Sequence, residues 1–309
     1  MQTIRFINNK FIDKNKWDNC ISHAFNCRIY GFSWYLDIVC KNWEGVVYGD
    51  YELVFPVVYK KVFFLKFIYH PFFCQQLGPF CSQSNLENNQ KAVFLILESI
   101  CNRYSRFDCA ITFSMSTIIK SIVDTQKLPL KIIDRVNLEL DLKNSYNNLI
   151  SCYSYNHKRN LKSDISSYSW DIRKITTEDE GYINEFLSLH KNYISVKAGL
   201  KSQNYQVIKT LILSCAKKNI GLLIGLRNNA SKLVSCAFFV SDHHKDILLF
   251  NASANEQKIN HMIFIIDRYI KMNASKSRYL DFEGSNLPGL KRLYSGFGAV
   301  EKNYIHIKK

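Results

Sequence analysis

Residues 279–299 read YLDFEGSNLPGLKRLYSGFGA (Tyr279–Ala299), and local rules divide them into a strand, a turn and a helix. Tyr279, Leu280 and Phe282 favour a strand that runs out at Gly284 and Ser285. Pro288, with its fixed φ and missing N–H, suits the first turn of the helix that follows. Gly296 and Gly298 flank Phe297; they end the helix and allow tight packing on a last strand, EKNYIHIKK. Asp281 and Glu283, two apart on the strand, are expected to project from one face near its end. Neighbouring carboxylates raise each other's pKa, which suits one of them to taking a proton from an ammonium group. Alternatively Asp281 supports the turn and Glu283 pairs with a surface cation. The Tyr294 hydroxyl is suited to giving up a proton, or else packs beside Leu290 and Leu293.

Upstream, IGLLIGLR (220–227), KLVSCAFFVSD (232–242) and DILLFNAS (246–253) are separated by RNNAS and HHK, short polar turns of the kind that join antiparallel neighbours. A meander is expected, with His243 and His244 as turn residues. Ile259, Met262, Ile263, Ile266 and Ile270 then mark a helix leading into the strand of 279–285. Before the meander lie a strand (SWDIRKI), an acidic-started helix (TEDEGYINEFLSLHKNYI) and a helix whose Tyr205, Ile208, Ile212 and Cys215 share a face. Before these, SYNNLISCYSYNHKRNLKS (145–163) reads as helix ending in the basic cluster Lys158, Arg159 and Lys162.

In the first half, WEGVVYGDYELVFPVVYKKVF reads as a hairpin turning at Gly49 and Asp50, with Pro56 demanding an edge position or a bulge. The loop HPFFCQQLGPF follows, with Gln75 and Gln76 placed either to line an acceptor groove or within an aromatic plug between the halves. KAVFLILESICNRY reads as a buried helix, CAITFSM and KIIDRVNLELDL as strands. The second of these strands alternates Val136, Leu138, Leu140 and Leu142 and is expected to close the first domain. The domains are therefore 1–144 and 145–309, each an α/β (α+β) unit with a mixed, mainly antiparallel sheet flanked by helices.

Hydrophobic residues make up 47% of the chain, which predicts folded structure nearly throughout. Lys and Arg outnumber Asp and Glu by 41 to 26, giving +15: either an anionic partner such as RNA, a nucleotide phosphate or a lipid headgroup, or a lysine-rich compositional bias. The ten cysteines lack metal-ligand or framework spacing and read as buried thiols of a reducing cytoplasm, with no metal bound. No apolar core follows the N-terminal charges, and VVYKKVFFLKFIYHPFF falls short of the ~20 apolar residues that span a bilayer, so a cytoplasmic protein without a transmembrane segment is expected.

WEGVVYGDYELVFPV, HPFFCQQLGPF, YSYNHKRNLK and DFEGSNLPGLKRLYSGFGA, in this order and spacing, resemble the FemAB-like branch of tandem GNAT proteins, which includes aminoacyl-tRNA-dependent peptidoglycan-bridge ligases. The resemblance implies two GNAT-like domains, the second with a sheet that splays between central strands to admit an acyl donor. It implies that Tyr294 protonates the leaving group while Glu283 or Asp281 deprotonates the amine. Arg159 matches the arginine that faces an anionic acceptor in the ligases, with Lys158 beside it. The ligases carry a lysine where Tyr294 stands, and Lys291 lies one turn earlier. The glycine-rich pyrophosphate turn of coenzyme A-dependent members is absent, leaving Asn255 to Lys258, at a helix N-terminus, to bind an anion. The function implied is N-acyl transfer from acyl-CoA or a related donor to an amine, with no covalently bound cofactor. The alternatives are aminoacyl transfer from tRNA to a peptidoglycan-precursor amine, or a GNAT scaffold that binds without catalysis. No DNA partner is implied, and the oligomeric state is left open.

Overall fold

The structure, a computed structural model, describes residues 3–81, 86–242, 245–254, 259–284 and 286–309. Two units divide the chain: Met1–Val136 with Lys302–Lys309, and Asn137–Glu301.

In unit 1 the predicted hairpin forms. Strands β1 (Ile4–Asn8), β2 (Trp43–Tyr48), β3 (Leu53–Val62) and β4 (Leu65–Ile68) lie side by side in that order, and β5 (Phe80–Cys81) also pairs with β3. β5 covers Leu53 and Val54 and β4 covers Tyr59 to Val62, so Pro56 falls in the gap between them, where a missing N–H breaks no ladder on that side. Helix α1 (Lys14–Ser22), capped by Asp13, lays Trp17 and Ile21 on this sheet's core, where Trp17 meets Trp43 at 5.1 Å between ring centroids. Helix α2 (Ser33–Val39) follows, and α3 (Leu86–Arg103) covers the segment read as helix. A second, three-stranded sheet has the order β6 (Asp108–Ile111), β15 (Tyr304–Lys308), β7 (Lys131–Arg135). Between β6 and β7 runs α4 (Phe113–Thr125), which burial of Met115, Ile119, Ile122 and Val123 holds in place.

Unit 2 is one seven-stranded sheet in the order β14 (Val300–Glu301), β8 (Asn137–Asp141), β13 (Tyr279–Gly284), β12 (Lys245–Ser253), β11 (Leu233–Ser241), β10 (Gly221–Arg227), β9 (Ser169–Lys174). The predicted meander is β10–β11–β12, and every pairing in the sheet is antiparallel except β12 with β13. The crossover between those two is α9 (His261–Asn273). Phe238 and Phe239 are chain neighbours and so face opposite sides: Phe239 stacks on Tyr269 of α9, and Phe238 on Phe250, whose ring meets His190 of α7 (Glu180–Ile194). Helix α8 (Ser202–Lys217) packs on α7 and β10. The α9 side carries a core of Leu138, Leu140, Leu142, Ile263, Ile266, Leu280, Phe282 and Phe297 among others.

The chain divides differently from the sequence expectation. KIIDRVNLELDL is not one strand closing the first domain but two, β7 in unit 1 and β8 in unit 2, so the chain crosses at 136/137 instead of 144/145. Leu138, Leu140 and Leu142 bury in the unit 2 core, and β8 pairs with β13 and β14. EKNYIHIKK likewise splits: β14 stays in unit 2, and β15 belongs to unit 1. The long helix read over 145–163 is two short ones, α5 (Tyr146–Ser151) and α6 (Tyr155–Leu161), each started by a serine cap, Ser145 and Ser154. All ten cysteines are free thiols, seven of them buried. Among the described residues no helix is long and apolar enough to cross a membrane.

Two histidines, His190 buried and His70 half-buried, give the fold a pH dependence. His70 uses both nitrogens of its neutral ring: Nδ1 accepts from the Ala110 N–H (3.2 Å), and Nε2 donates to the Cys74 carbonyl. Burial first, then the neighbouring His306, pushes its pKa down to about 4; burial does the same to His190, also to about 4. A lowered imidazole pKa means that the unfolded chain takes up protons first as the pH falls. The stability carried by these neutral rings, roughly 3 kcal/mol each at most, is complete above about pH 6.5 and lost towards about pH 4. Urea midpoints are expected to fall across that window, and His190→Gln to flatten the fall; a midpoint that stays level through it would contradict the assignment.

Candidate functional site

The parallel pair in unit 2 comes apart almost as soon as it forms. Lys245 to Ile247 pair with Tyr279 to Asp281, and there the ladder stops. Each strand carries a bulge just beyond that point, and a bulge bends its strand. On β12, Leu249 is the extra residue, since Phe238 and Phe239 of β11 pair with Phe250 and Leu248. On β13, the pairing with β8 shifts between Asp281 and Gly284, and Glu283 takes φ +58°, a left-handed backbone that is rare for a residue with a side chain. The remaining lengths of β12 and β13 therefore diverge.

Asp281 is the buttress of the second bulge. Its Oδ1 accepts from the Glu283 N–H (2.9 Å) and from the Asn137 amide (3.0 Å), and its Oδ2 lies 4.0 Å from Lys245 Nζ. Lys245 also donates to Glu139. The left-handed Glu283 ends the simple alternation, so the two-residue spacing does not place both carboxylates on one face as expected: Asp281 is buried and Glu283 half-exposed.

Helix α10 (Pro288–Ser295) brings Tyr294 to the same place. Its ring stacks on Phe282 (4.8 Å between centroids), and its hydroxyl faces the Asn251 side chain on β12. Burial raises the phenol to about 12; Asn251 partly offsets this, and the Glu283 charge adds to it. Tyr294 is thus a neutral donor near pH 7, held where β12 and β13 part, with a carboxylate close enough to feel.

Beside it, α6, the start of α9 and α10 enclose a cleft of about 450 Å³. Arg159, Asn160, Asn260 and Arg292 line it, and among the described residues no acidic side chain does. Neither guanidinium has a hydrogen-bond or ion-pair partner among the described residues, so the cleft is a positively charged concavity suited to an anion. Its wall is set by His157, which the sequence reading passed over. Nε2 of His157 donates to the Leu293 carbonyl (2.9 Å), so Nδ1 accepts from Ser154 Oγ (2.9 Å), and the ring stands edge-on to Phe297 at 4.5 Å. Burial lowers its pKa, in keeping with a neutral ring. YSYNHKRNLK and LYSGFGA, far apart in sequence, are one packed piece.

Solved structures of several known proteins share this architecture. FemX matches over 97% of this chain and 96% of its own, with a TM-score of 0.65 at 11% identity. The L-PGS of Bacillus licheniformis matches over 96% and 91%, at 0.55 and 10% identity. The chain has a FemAB-like tandem GNAT fold. A tandem GNAT protein from the clavulanic acid biosynthesis pathway matches over 99% and 98%, at 0.52 and 8% identity. No protein-family description and no curated protein matches the sequence.

Within the tandem GNAT fold, Lys158, Lys291 and Gln75, also singled out from sequence, fall outside the cleft. Lys158 turns back to the Ser151 carbonyl (2.6 Å) at the end of α5, and Lys291 pairs with Glu301 (2.5 Å); neither lines it. Gln75 lies in unit 1, where its side-chain carbonyl accepts from Gln76, which in turn receives the Phe113 N–H and is fully buried. Asn255 and Lys258, the expected anion site, and His243 and His244 lie outside the described residues.

Proposed function

We propose that this protein transfers an acyl or aminoacyl group from an activated, phosphate-bearing donor to an amine, with the reacting carbonyl placed where β12 and β13 diverge. The observation that carries this reading is the buried Tyr294 ring stacked on Phe282 of β13, with its hydroxyl towards Asn251 of β12 and the Glu283 charge near enough to act on it. The Glu283 carboxylate takes the proton from the incoming ammonium group, and the freed amine attacks the carbonyl carbon. As the tetrahedral intermediate collapses, the bond to the thiol sulfur or ribose oxygen breaks, Tyr294 gives its proton to the leaving group, and the surplus proton of the attacking nitrogen returns to the phenolate, directly or through water. Asn251 orients the phenol, and Asp281 positions Glu283 through its N–H. Arg159 and Arg292 take the donor's phosphates in the adjoining cleft.

Coenzyme A thioesters are the first donors to try, and aminoacyl-tRNA the second, favoured by the +15 charge. Purified protein is supplied with either donor and a panel of amines that includes peptidoglycan-precursor peptides, and thiol or tRNA release is followed. Acceptor-dependent release is expected, with Tyr294→Phe and Glu283→Gln each reducing kcat about a hundredfold while the thermal midpoint changes little. Unchanged turnover in both variants would reverse the assignment of roles. Release from neither donor would leave the scaffold as a binding protein.

A further inference from the structure

From Leu53 to Leu86 the chain contains no acidic residue, yet it carries Lys60, Lys61 and Lys66 around the run VFFL. In unit 1 this run is the tip of the β3–β4 hairpin. Val62 pairs with Leu65, which leaves Phe63 and Phe64 as a two-residue turn. Such turns call for Gly, Asn or Asp, because they need a left-handed backbone. Phe63 supplies it at φ +54°, a strained conformation for an aromatic residue. Nor is the strain offset by burial: Phe63 is 94% and Phe64 102% exposed, with Val62 and Leu65 about half exposed beside them. The tip defies both turn chemistry and the ordinary rule for exposed aromatics.

The collar around the tip is cationic. Lys61 stands directly opposite Lys66 in the ladder, a like-charge pair. Lys66 is drawn aside to Glu44 (2.7 Å) and over the Tyr59 ring, and Lys60 lies over Tyr69. Lys61 has no partner among the described residues. A convex apolar point ringed by ammonium groups matches a layered target, apolar below and negatively charged above. Those are the acyl and phosphate layers of a bilayer surface. A protein partner would need a deep apolar socket with an acidic rim.

We propose that the β3–β4 tip docks on an anionic lipid surface, with Phe63, Phe64 and Leu65 entering the interface and Lys60 and Lys61 lying among the lipid phosphates. The contact is independent of the chemistry in unit 2. Full-length protein is sedimented with vesicles of phosphatidylcholine, alone or mixed with phosphatidylserine. Binding to the mixed vesicles that weakens with salt is expected, along with a blue shift of the new indole in Phe64→Trp. Phe63→Ser with Phe64→Ser should cut partitioning roughly tenfold or more, and Lys60→Gln with Lys61→Gln severalfold. Because the tip is exposed, these variants should keep the wild-type thermal midpoint, and the tryptophan signal stands even if a serine variant does not fold. Three results would overturn the proposal: no binding to mixed vesicles, serine variants that bind as tightly as wild type, or light scattering that shows a dimer dissolved by the serine substitutions.

Discussion

Lys245→Met is expected to destabilise unit 2 by about 3–5 kcal/mol. The Lys245 ammonium lies between Glu139 and Asp281, whose side chains are nearly fully buried. The Asn137 amide reaches both carboxylates, at 3.4 and 3.0 Å, but it brings no charge. With the ammonium gone, two carboxylates would share a water-poor site without its charge, the Asn137 amide and the Glu283 N–H being neutral donors, and removing one partner from such a cluster is far worse than replacing all of it. Lys245→Met combined with Glu139→Gln should therefore be more stable than Lys245→Met alone. Urea unfolding of the three variants measures this; a single-variant loss below about 1 kcal/mol would mean that the ion cluster contributes little net stability. The cluster joins β8, β12 and β13 and braces the bulge that carries Glu283, so its failure would also reach the proposed chemistry.

Gly296→Ala should cost about 3 kcal/mol or more, although its φ of −62° suits any residue. The reason is space. A Cβ there would sit 2.1–2.6 Å from three atoms of the His157 ring. The ring has nowhere to go, since Leu293 and Ser154 hold its two nitrogens and Phe297 stands against it. Gly289, at the other end of α10, faces open space, so Gly289→Ala should be neutral or mildly stabilising while lining the same cleft. A double-mutant cycle of Gly296→Ala with His157→Ala isolates the clash: the double variant is expected to lose far less than the sum of the two single losses, and additive losses would show that the close approach is not the cause.

These two residues mark the limits of reading the chain alone. Gly296 was legible as a helix terminator, but its closest neighbour is a histidine 139 positions earlier, and no local rule pairs them. His157 itself was hidden inside a basic cluster, with only the Ser154 cap to hint that its ring turns inward. Arg159 was legible because it matches the arginine of the FemAB-like pattern within that cluster; Arg292, on its own, gave no such sign. The meander, the crossover helix and the strand-turn-helix of 279–295 were legible because hydrophobic period and turn chemistry act within a few residues. Asp281 and Glu283 misled because alternation assumes a regular strand, and Glu283 breaks it with a left-handed backbone. Helix α4 was missed because its β-branched residues follow directly on a true strand, CAI. The splitting of 131–142 between two sheets depends on which distant strand offers the better partner, and a continuous apolar alternation cannot report that.

The place of β15 sets the order in which this protein can be made. A nascent chain usually folds its first unit while the ribosome is still adding the next. Here the middle strand of the three-stranded sheet in unit 1 comes from residues 304–308, about 170 residues after β7 has emerged. Until then β6 and β7 wait without the strand that joins them, presenting open edges of the kind that chaperones shield and stray strands seek out. A message that ended at residue 301 would therefore yield a polypeptide with every residue of unit 2 and a first half that can never close, a product fit mainly for proteolysis.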